Sequence, residues 1–370
     1  MQLKVFEEYI RQGEPSRVEK AQNWQTAIGL QQVDGLKPSA YLIEQAKQNI
    51  EGDITIDEVK KRIDEYYKTQ TVRQFDDNDR TEEADKVSSR IAEILSEKTF
   101  SFTPLWYINI HRRLFTGIYK FAGKIRDYNI TKNEWVLDGQ TVLYSDSYMI
   151  KATLDYDFGQ EKAFSYKNLS QIEIVEHIAK FISGLWQIHA FGEGNTRTTA
   201  IFTIKYLQTF GFKANNDMFA SHSWYFRNAL VRANFNDAKH NIHATTEFLM
   251  QFFGNLLFDE NNELKNRYLH IKFVASEKPD NLKINEQKFS VNTEKFPVID
   301  EKFSVKFSVN QEKILALMQE MPTITVNEIA AKLGITERAI HKNIVKLKER
   351  GILTRIGADK NGYWKIMIND

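Results

Sequence analysis

At 370 residues, with 50 Lys and Arg against 49 Asp and Glu and no cysteine, the chain exceeds one average domain and sits close to electroneutrality. That balance selects neither a nucleic acid nor an acidic surface as partner of the whole chain. The missing cysteines exclude disulfide staples, thiolate metal sites and a cysteine nucleophile. The first residues lack the basic-then-apolar pattern of a secretory signal, and no apolar run approaches the ~20 residues of a spanning helix, so the expectation is a soluble, cytoplasmic protein without a membrane partner.

Residues 15 to 70 read as mostly polar helical sequence. Thr55 stands three residues before Glu58, a capping-box spacing that predicts a helix start there. A charged stretch, Arg73 to Glu83, separates this part from two amphipathic patterns, one through Val87, Ile91, Ile94 and Leu95, the other through Leu105, Ile108, Leu114 and Phe115. Ser101-Phe-Thr-Pro104 breaks the helix between them. Trp135 to Tyr144 carries β-forming residues on either side of Asp138-Gly139, which predicts a hairpin. Helical periodicity resumes near Leu169 and lasts, with loops, to about Leu269. Ala275 to Asn310 then repeats Lys-Phe-Ser-Val at 288–291, 302–305 and 306–309. These copies are too few and too short for a solenoid, and read as a linker or a partly extended strand array. From Gln311 follow a helix to Gln319, a second over Val326 to Leu333, a turn at Gly334 to Thr336, a third helix over Glu337 to Arg350, and two strands around residues 357–362. That succession is similar to a winged helix-turn-helix.

Residues 189 to 197 read His-Ala-Phe-Gly-Glu-Gly-Asn-Thr-Arg and gather nearly every group needed to hold and break a nucleoside triphosphate. His189 can act as a base and Glu193 can ligate a hard cation. Gly192 and Gly194 let backbone approach phosphate oxygens, and Asn195 and Arg197 can hold those oxygens from their side chains. The run lies between two apolar stretches, Ile178 to Ile188 and Thr198 to Phe212, so it reads as helix, loop, helix. A Gly-bearing loop that opens a helix aims free N–H groups and the positive end of the dipole at an anion.

This run resembles the core motif of Fic domains, enzymes that transfer a nucleotide monophosphate, usually AMP from ATP, onto protein hydroxyls. His189, Phe191, Glu193, Gly194, Asn195 and Arg197 match H-x-F-x-[DE]-G-N-G-R-x-x-R. The resemblance covers roughly residues 85 to 272, through His-Arg-Arg-Leu-Phe (111–115), Ala-Gly-Lys-Ile-Arg (122–126) and Arg-Ala-Asn (232–234). It implies a mainly α fold, a Fic-type helical core with a β-hairpin flap at Asp138-Gly139 that aligns target peptides by strand addition. It implies His189 as general base toward a Ser, Thr or Tyr hydroxyl and Glu193 as the ligand of Mg²⁺. Gly192, Gly194, Asn195, Thr196 and Arg197 would bind the ATP phosphates, Asn234 the adenine, and Phe191 would belong to the core.

Thr196 stands where the family usually has Gly, and Ala200 where it has a second Arg that grips the terminal phosphate and pairs with an inhibitory acid. ATP is the default donor, with another nucleotide the alternative. Residues 24 to 60 look like the antitoxin module that represses some Fic toxins, with Asp34-Gly35 aligned on its inhibitory acid. The acid is one methylene short and its usual partner is gone, so inhibition is either weakened or re-routed through Arg197. Asp34-Gly35 as a helix-ending turn is the plain alternative. The expected domains are 1–84 (regulatory), 85–274 (Fic), 275–310 (linker) and 311–370 (winged helix). Arg338, Lys342 and Lys346 on the third C-terminal helix are candidates for nucleic-acid contact, and a solvated lysine face is the alternative. The implied function is a protein adenylyltransferase acting on a target protein or on itself, with a homodimer and DNA as open partners. The opposing reading is a DNA-binding regulator whose Fic-like domain senses nucleotide.

Overall fold

The computed structural model describes residues 5–11, 13–69, 80–212, 218–273, 309–349, 353–356 and 362–366. The Lys-Phe-Ser-Val segment lies outside them up to residue 308. The described residues fall into two compact units, those of Met1–Ser96 with Phe102–Ile299, and those of Glu97–Ser101 with Asp300–Asp370. The predicted regulatory segment therefore folds into the same unit as the core. Both units are mainly helical, and no helix among the described residues is long and apolar enough to cross a membrane.

The first unit begins with α1 (Glu7–Arg11) and α2 (Pro15–Gly29), which runs straight into a 3-10 turn, Leu30–Asp34, ended by Gly35 at φ 71°. Next come α3 (Ala40–Glu51) and α4 (Ile56–Thr69). Thr55 and Glu58 make the reciprocal capping box, with the Thr55 N–H donating to Glu58 at 2.7 Å and the Glu58 N–H to Thr55 Oγ1 at 3.2 Å. The predicted charged separator ends earlier than expected, because residues 81 to 83 already open α5 (Thr81–Ser96), while residues 70–79 lie outside the described set. Buried Asp85 knits α3, α4 and α5 together, accepting from the Ser39 N–H at 2.8 Å and the Tyr67 hydroxyl at 2.7 Å. α5 packs along α2.

Thr103 and Pro104 do break the chain and then start α6 (Pro104–Phe115), with Thr103 Oγ1 accepting from the Trp106 N–H at 3.1 Å. The core continues through α7 (Ile150–Ala163), α8 (Gln171–Ile188), α9 (Asn195–Gln208), α10 (Met218–Ala233) and α11 (Glu247–Phe258). α9 is buried on almost every face and forms the axis of the unit. At the end away from its start, the buried carboxylate of Glu161 on α7 joins three elements. It takes hydrogen bonds from Tyr206 of α9 and Tyr166, and lies 2.6 Å from His177 of α8.

The flap differs from expectation. The chain does reverse at Asp138-Gly139, both at positive φ, and the Glu134 N–H reaches Gln140 O at 2.9 Å. No strand ladder extends from that turn: Trp135–Leu137 form a 3-10 turn. Consecutive Val136 and Leu137 are both fully buried, which a half-exposed alternating strand cannot achieve. Tertiary burial overrides local β propensity here.

In the second unit α12 (Val309–Glu320), α13 (Val326–Leu333) and α14 (Glu337–Glu349) precede antiparallel β1 (Leu353–Ile356) and β2 (Tyr363–Ile366), with Leu353 opposite Ile366. Ile314, Met318, Ile329, Ile340, Ile344, Leu347, Leu353 and Trp364 make its core. Gly334 at φ 64° caps α13 and turns the chain into α14. The order and spacing match the predicted winged helix-turn-helix.

Candidate active site

His189 ends α8 in the left-handed region, φ 49° and ψ 57°, so its side chain leaves the helix direction and turns into the interior. The residue is 3 % exposed, with its ring 4.2 Å from that of Tyr144 and 5.3 Å from that of Trp186. Neither ring nitrogen has a hydrogen-bond partner. Burial, followed by the charges of Lys132, Arg126 and Arg227, pushes its pKa well below the ordinary histidine value, so the imidazole is neutral. A buried polar atom left without a partner is costly, and such an atom is common where a ligand completes the site.

The loop after His189 is built to hold its shape. Gly194 caps α9 at φ 79°, and a Cβ there would meet the Phe115 ring at 2.4 Å. A Cβ on Gly192 would meet the Tyr128 hydroxyl at 2.6 Å. The Asn195 amide turns inward, donating to Phe191 O at 2.7 Å and accepting from the Phe191 N–H at 3.0 Å. This corrects the expectation that its side chain faces phosphate. Both ends of the buried amide are spent on closing the loop, and what Asn195 offers an anion is its N–H in the first turn of α9. Thr196 Oγ1 likewise accepts from Trp186 Nε1 at 3.0 Å. His111 holds the loop from beneath. Its Nδ1 accepts from the Gly123 N–H at 2.9 Å, so Nε2 carries the proton and donates to Glu193 O at 2.9 Å. Its ring stacks on Phe191 at 3.8 Å. Burial lowers the His111 pKa to about 4, which keeps this tautomer neutral.

Glu193 is the part of the loop that reaches solvent, with its side chain 36 % exposed. Burial alone would raise its pKa, but the Lys132 ammonium and the Gly194 N–H outweigh that and hold the carboxyl below the ordinary range. Lys132 Nζ lies 3.0 Å from Oε2, and the Gly194 N–H donates to Oε1 at 3.0 Å. Among the described residues no group of three His, Cys, Asp or Glu side chains could hold a metal ion by itself. A lone hard carboxylate fits a divalent ion whose remaining ligands come from phosphate and water.

Arg197 does not face the loop's open side. It is fully buried on α9, with Nε 2.8 Å from Asp34 Oδ2, Nη1 donating to Gln31 Oε1 at 3.0 Å and Nη2 to Glu83 Oε1 at 2.7 Å. Its guanidinium also lies 4.8 Å from the centre of the Phe115 ring. Glu83 in turn takes hydrogen bonds from Arg80 at 2.7 Å and the Tyr119 hydroxyl at 2.7 Å. Two arginines and two acids thus close into a neutral cluster. Asp34 ends its 3-10 turn before Gly35, as the plain reading expected, and also sits on Arg197. Ala200 is buried and adds no charge.

Asn234 follows the end of α10 and donates both amide hydrogens to carbonyls, Ser183 at 3.0 Å and Leu230 at 2.9 Å. Arg126 was legible only as part of a resemblance. It is buried, and its guanidinium donates to the carbonyls of His189 at 2.7 Å, Ile188 at 3.3 Å, Tyr128 at 2.6 Å and Ser145. It therefore caps α8 beneath the histidine and pins both ends of the flap. Glu83, Lys132, His111 and Tyr144 carry no local sequence signal for these roles. On the second unit Arg338, Lys342 and Lys346 are exposed on α14, whereas Lys348 lies 5.3 Å from the Trp364 ring centre.

Residues 101–207 match the profile of the Fic/DOC family, and residues 310–364 that of a helix-turn-helix domain. No curated protein matches the chain. Among solved structures, the chain is similar to the N-terminal FIC domain of Bep8, a VirB-translocated effector from Bartonella sp. 1-1C, at 20 % identity and a TM-score of 0.36, over 46 % of this chain and 81 % of that one. It is also similar to BepC with bound AMPPNP from Bartonella tribocorum, at 20 % identity and a TM-score of 0.34, over 45 % of this chain and 80 % of that one.

Proposed function

We propose that this chain, which carries a Fic/DOC domain and a helix-turn-helix domain, is a protein adenylyltransferase that moves AMP from Mg·ATP to a Ser, Thr or Tyr hydroxyl of a target protein or of itself. The observation that carries the reading is the neutral, unpartnered imidazole of His189 at the start of the Gly-bearing loop that opens α9. His189 takes the hydroxyl proton as that oxygen attacks the α-phosphorus. The bond from that phosphorus to the bridging oxygen breaks, and pyrophosphate leaves with the electron pair. The first turn of α9, with Gly194, Asn195 and Thr196, faces the polyphosphate with backbone N–H groups and the positive helix end. Glu193 would hold Mg²⁺, which neutralises charge on the leaving oxygens.

In the resting chain Arg197 is committed to Asp34 and Glu83, so it serves phosphate only after those acids give way. Asp34 is the brake in this reading, acting on Arg197 in place of the missing residue at 200. The C-terminal unit would carry DNA contact through Arg338, Lys342 and Lys346. The locked Arg197 also favours one second reading, a nucleotide-sensing DNA regulator without turnover. Incorporation of label from α-³²P-ATP with Mg²⁺, with and without cell lysate, decides between them. Label lost in His189→Ala and raised in Asp34→Ala supports the transferase. No label from ATP or other nucleotides, together with ATP-modulated binding of duplex DNA, supports the regulator.

A further inference from the structure

Among the described residues near the loop, Arg126, Arg227, Arg197 and Lys132 are cations held by partners of different kinds. Arg126 is bonded to four carbonyls, Arg227 is 2.6 Å from the buried Glu134, and Arg197 sits between Asp34 and Glu83. The fourth, Lys132, has the Glu193 carboxylate as its partner, 3.0 Å away. That carboxylate is the one expected to turn to the metal. We infer that Lys132 is a phosphate-binding residue of the site, parked on Glu193 until Mg·nucleotide arrives and then transferred to the polyphosphate. The inference rests on the nucleotide-binding reading above.

Distance and charge both lead there. A hard cation taken up by Glu193 would draw its carboxylate away from Lys132, and the phosphates accompanying that cation would come within reach of the lysine's long side chain. The ammonium loses its carboxylate partner and finds a fresh anion within reach. Its backbone is anchored, with the Lys132 N–H donating to Thr141 Oγ1 at 3.1 Å, and its side chain is about a quarter exposed. Lysine suits this better than arginine would, as a compact point charge on a flexible stem. The position also answers a deficit. Ala200 supplies no cation one turn along α9, and a triphosphate needs more positive charge than one metal ion brings.

The test is calorimetric binding of AMP, ADP and a non-hydrolysable ATP analogue, with Mg²⁺, to the intact chain and to Lys132→Met and Lys132→Arg. A charge-assisted phosphate contact predicts a loss on the order of tenfold for the triphosphate analogue in Lys132→Met. The expected loss is smaller for ADP and near zero for AMP, and Lys132→Arg recovers most of it. Unchanged or tighter binding of the triphosphate analogue by Lys132→Met overturns the inference, because a lysine that only guards Glu193 should improve binding when removed. Equal losses for AMP and the triphosphate analogue overturn it too, assigning Lys132 to the shape of the flap. A wild-type chain that binds none of the three overturns the nucleotide reading itself, an outcome separate from a wild type that binds and a Lys132→Met that binds as well.

Discussion

Asp34→Ala should make the protein less stable and more active, because one contact serves both. Arg197 is fully buried and 2.8 Å from Asp34, whose side chain is 16 % exposed. Removing one partner of a buried ion pair costs about 3–5 kcal/mol when the other charge is left alone. Here Arg197 keeps Glu83 and Gln31, so a loss of about 2 kcal/mol is expected, comparable to one charged hydrogen bond. For a unit of this size that is roughly 3–4 °C in melting temperature. The same free energy opposes phosphate, since nucleotide must displace the acid to reach Arg197, and about 2 kcal/mol corresponds to roughly 30-fold in apparent affinity. Thermal melts with and without Mg·ATP, run beside α-³²P-ATP labelling, read both effects. Asp34→Ala should melt lower alone, gain more from nucleotide than the wild type, and label at least tenfold faster. A variant that melts lower yet labels no faster and gains no more from nucleotide would refute the reasoning, leaving Asp34 a purely structural contact.

His189→Ala should abolish transfer while binding of Mg·ATP persists, because the imidazole lies against the tyrosine and tryptophan rings and anchors no loop by hydrogen bonds; calorimetry beside the label assay checks this. Glu83 has its carboxyl held low: burial opposes ionisation, but Arg80, Arg197 and Tyr119 outweigh it. Its stabilisation is therefore present above the ordinary glutamate range and lost as pH falls through the lowered value, so Glu83→Gln should flatten the acid limb of melting temperature against pH. His111, lowered by burial to about 4, contributes stability that is complete above the unfolded histidine value and lost on acidification toward 4. His111→Gln should weaken that pH dependence and slow labelling at neutral pH, since the loop loses its strut on Glu193 O. Replacing exposed Arg338, Lys342 and Lys346 with glutamate should abolish duplex binding by the full chain and its dependence on salt, measured by fluorescence anisotropy.

What sequence could reveal here followed how far apart the interacting groups lie along the chain. The loop from His189 to Arg197 is contiguous, and the capping boxes at Thr55 and Thr325 need only three residues, so local pattern suffices for both. The winged helix was readable for the same reason, since each helix and its αL cap at Gly334 is a local signal. The flap departs from its expected hairpin because Val136, Leu137 and Tyr144 are buried against residues distant in sequence, which propensity cannot see. The supports of the site were missed for a related reason. Lys132 meets Glu193 across 61 residues, Arg126 meets His189 across 63, His111 meets Glu193 across 82, and Glu83 meets Arg197 across 114. None of these pairs has a spacing that a helix or hairpin period would flag. Asn195 was given the wrong direction because a motif names a residue but not whether its amide closes the loop or faces the ligand.

The Asp34–Arg197 contact joins two parts of one folded unit, and this sets how the proposed brake would respond to concentration. An inhibitor carried on a separate chain is lost by dilution or by faster degradation of that chain. A tethered one acts at a local concentration in the millimolar range whatever the amount of protein in the cell. Raising or lowering expression therefore leaves the occupied fraction of Arg197 unchanged. Under the proposed function, release would come from a ligand, a partner or a covalent change that weakens this contact within the molecule.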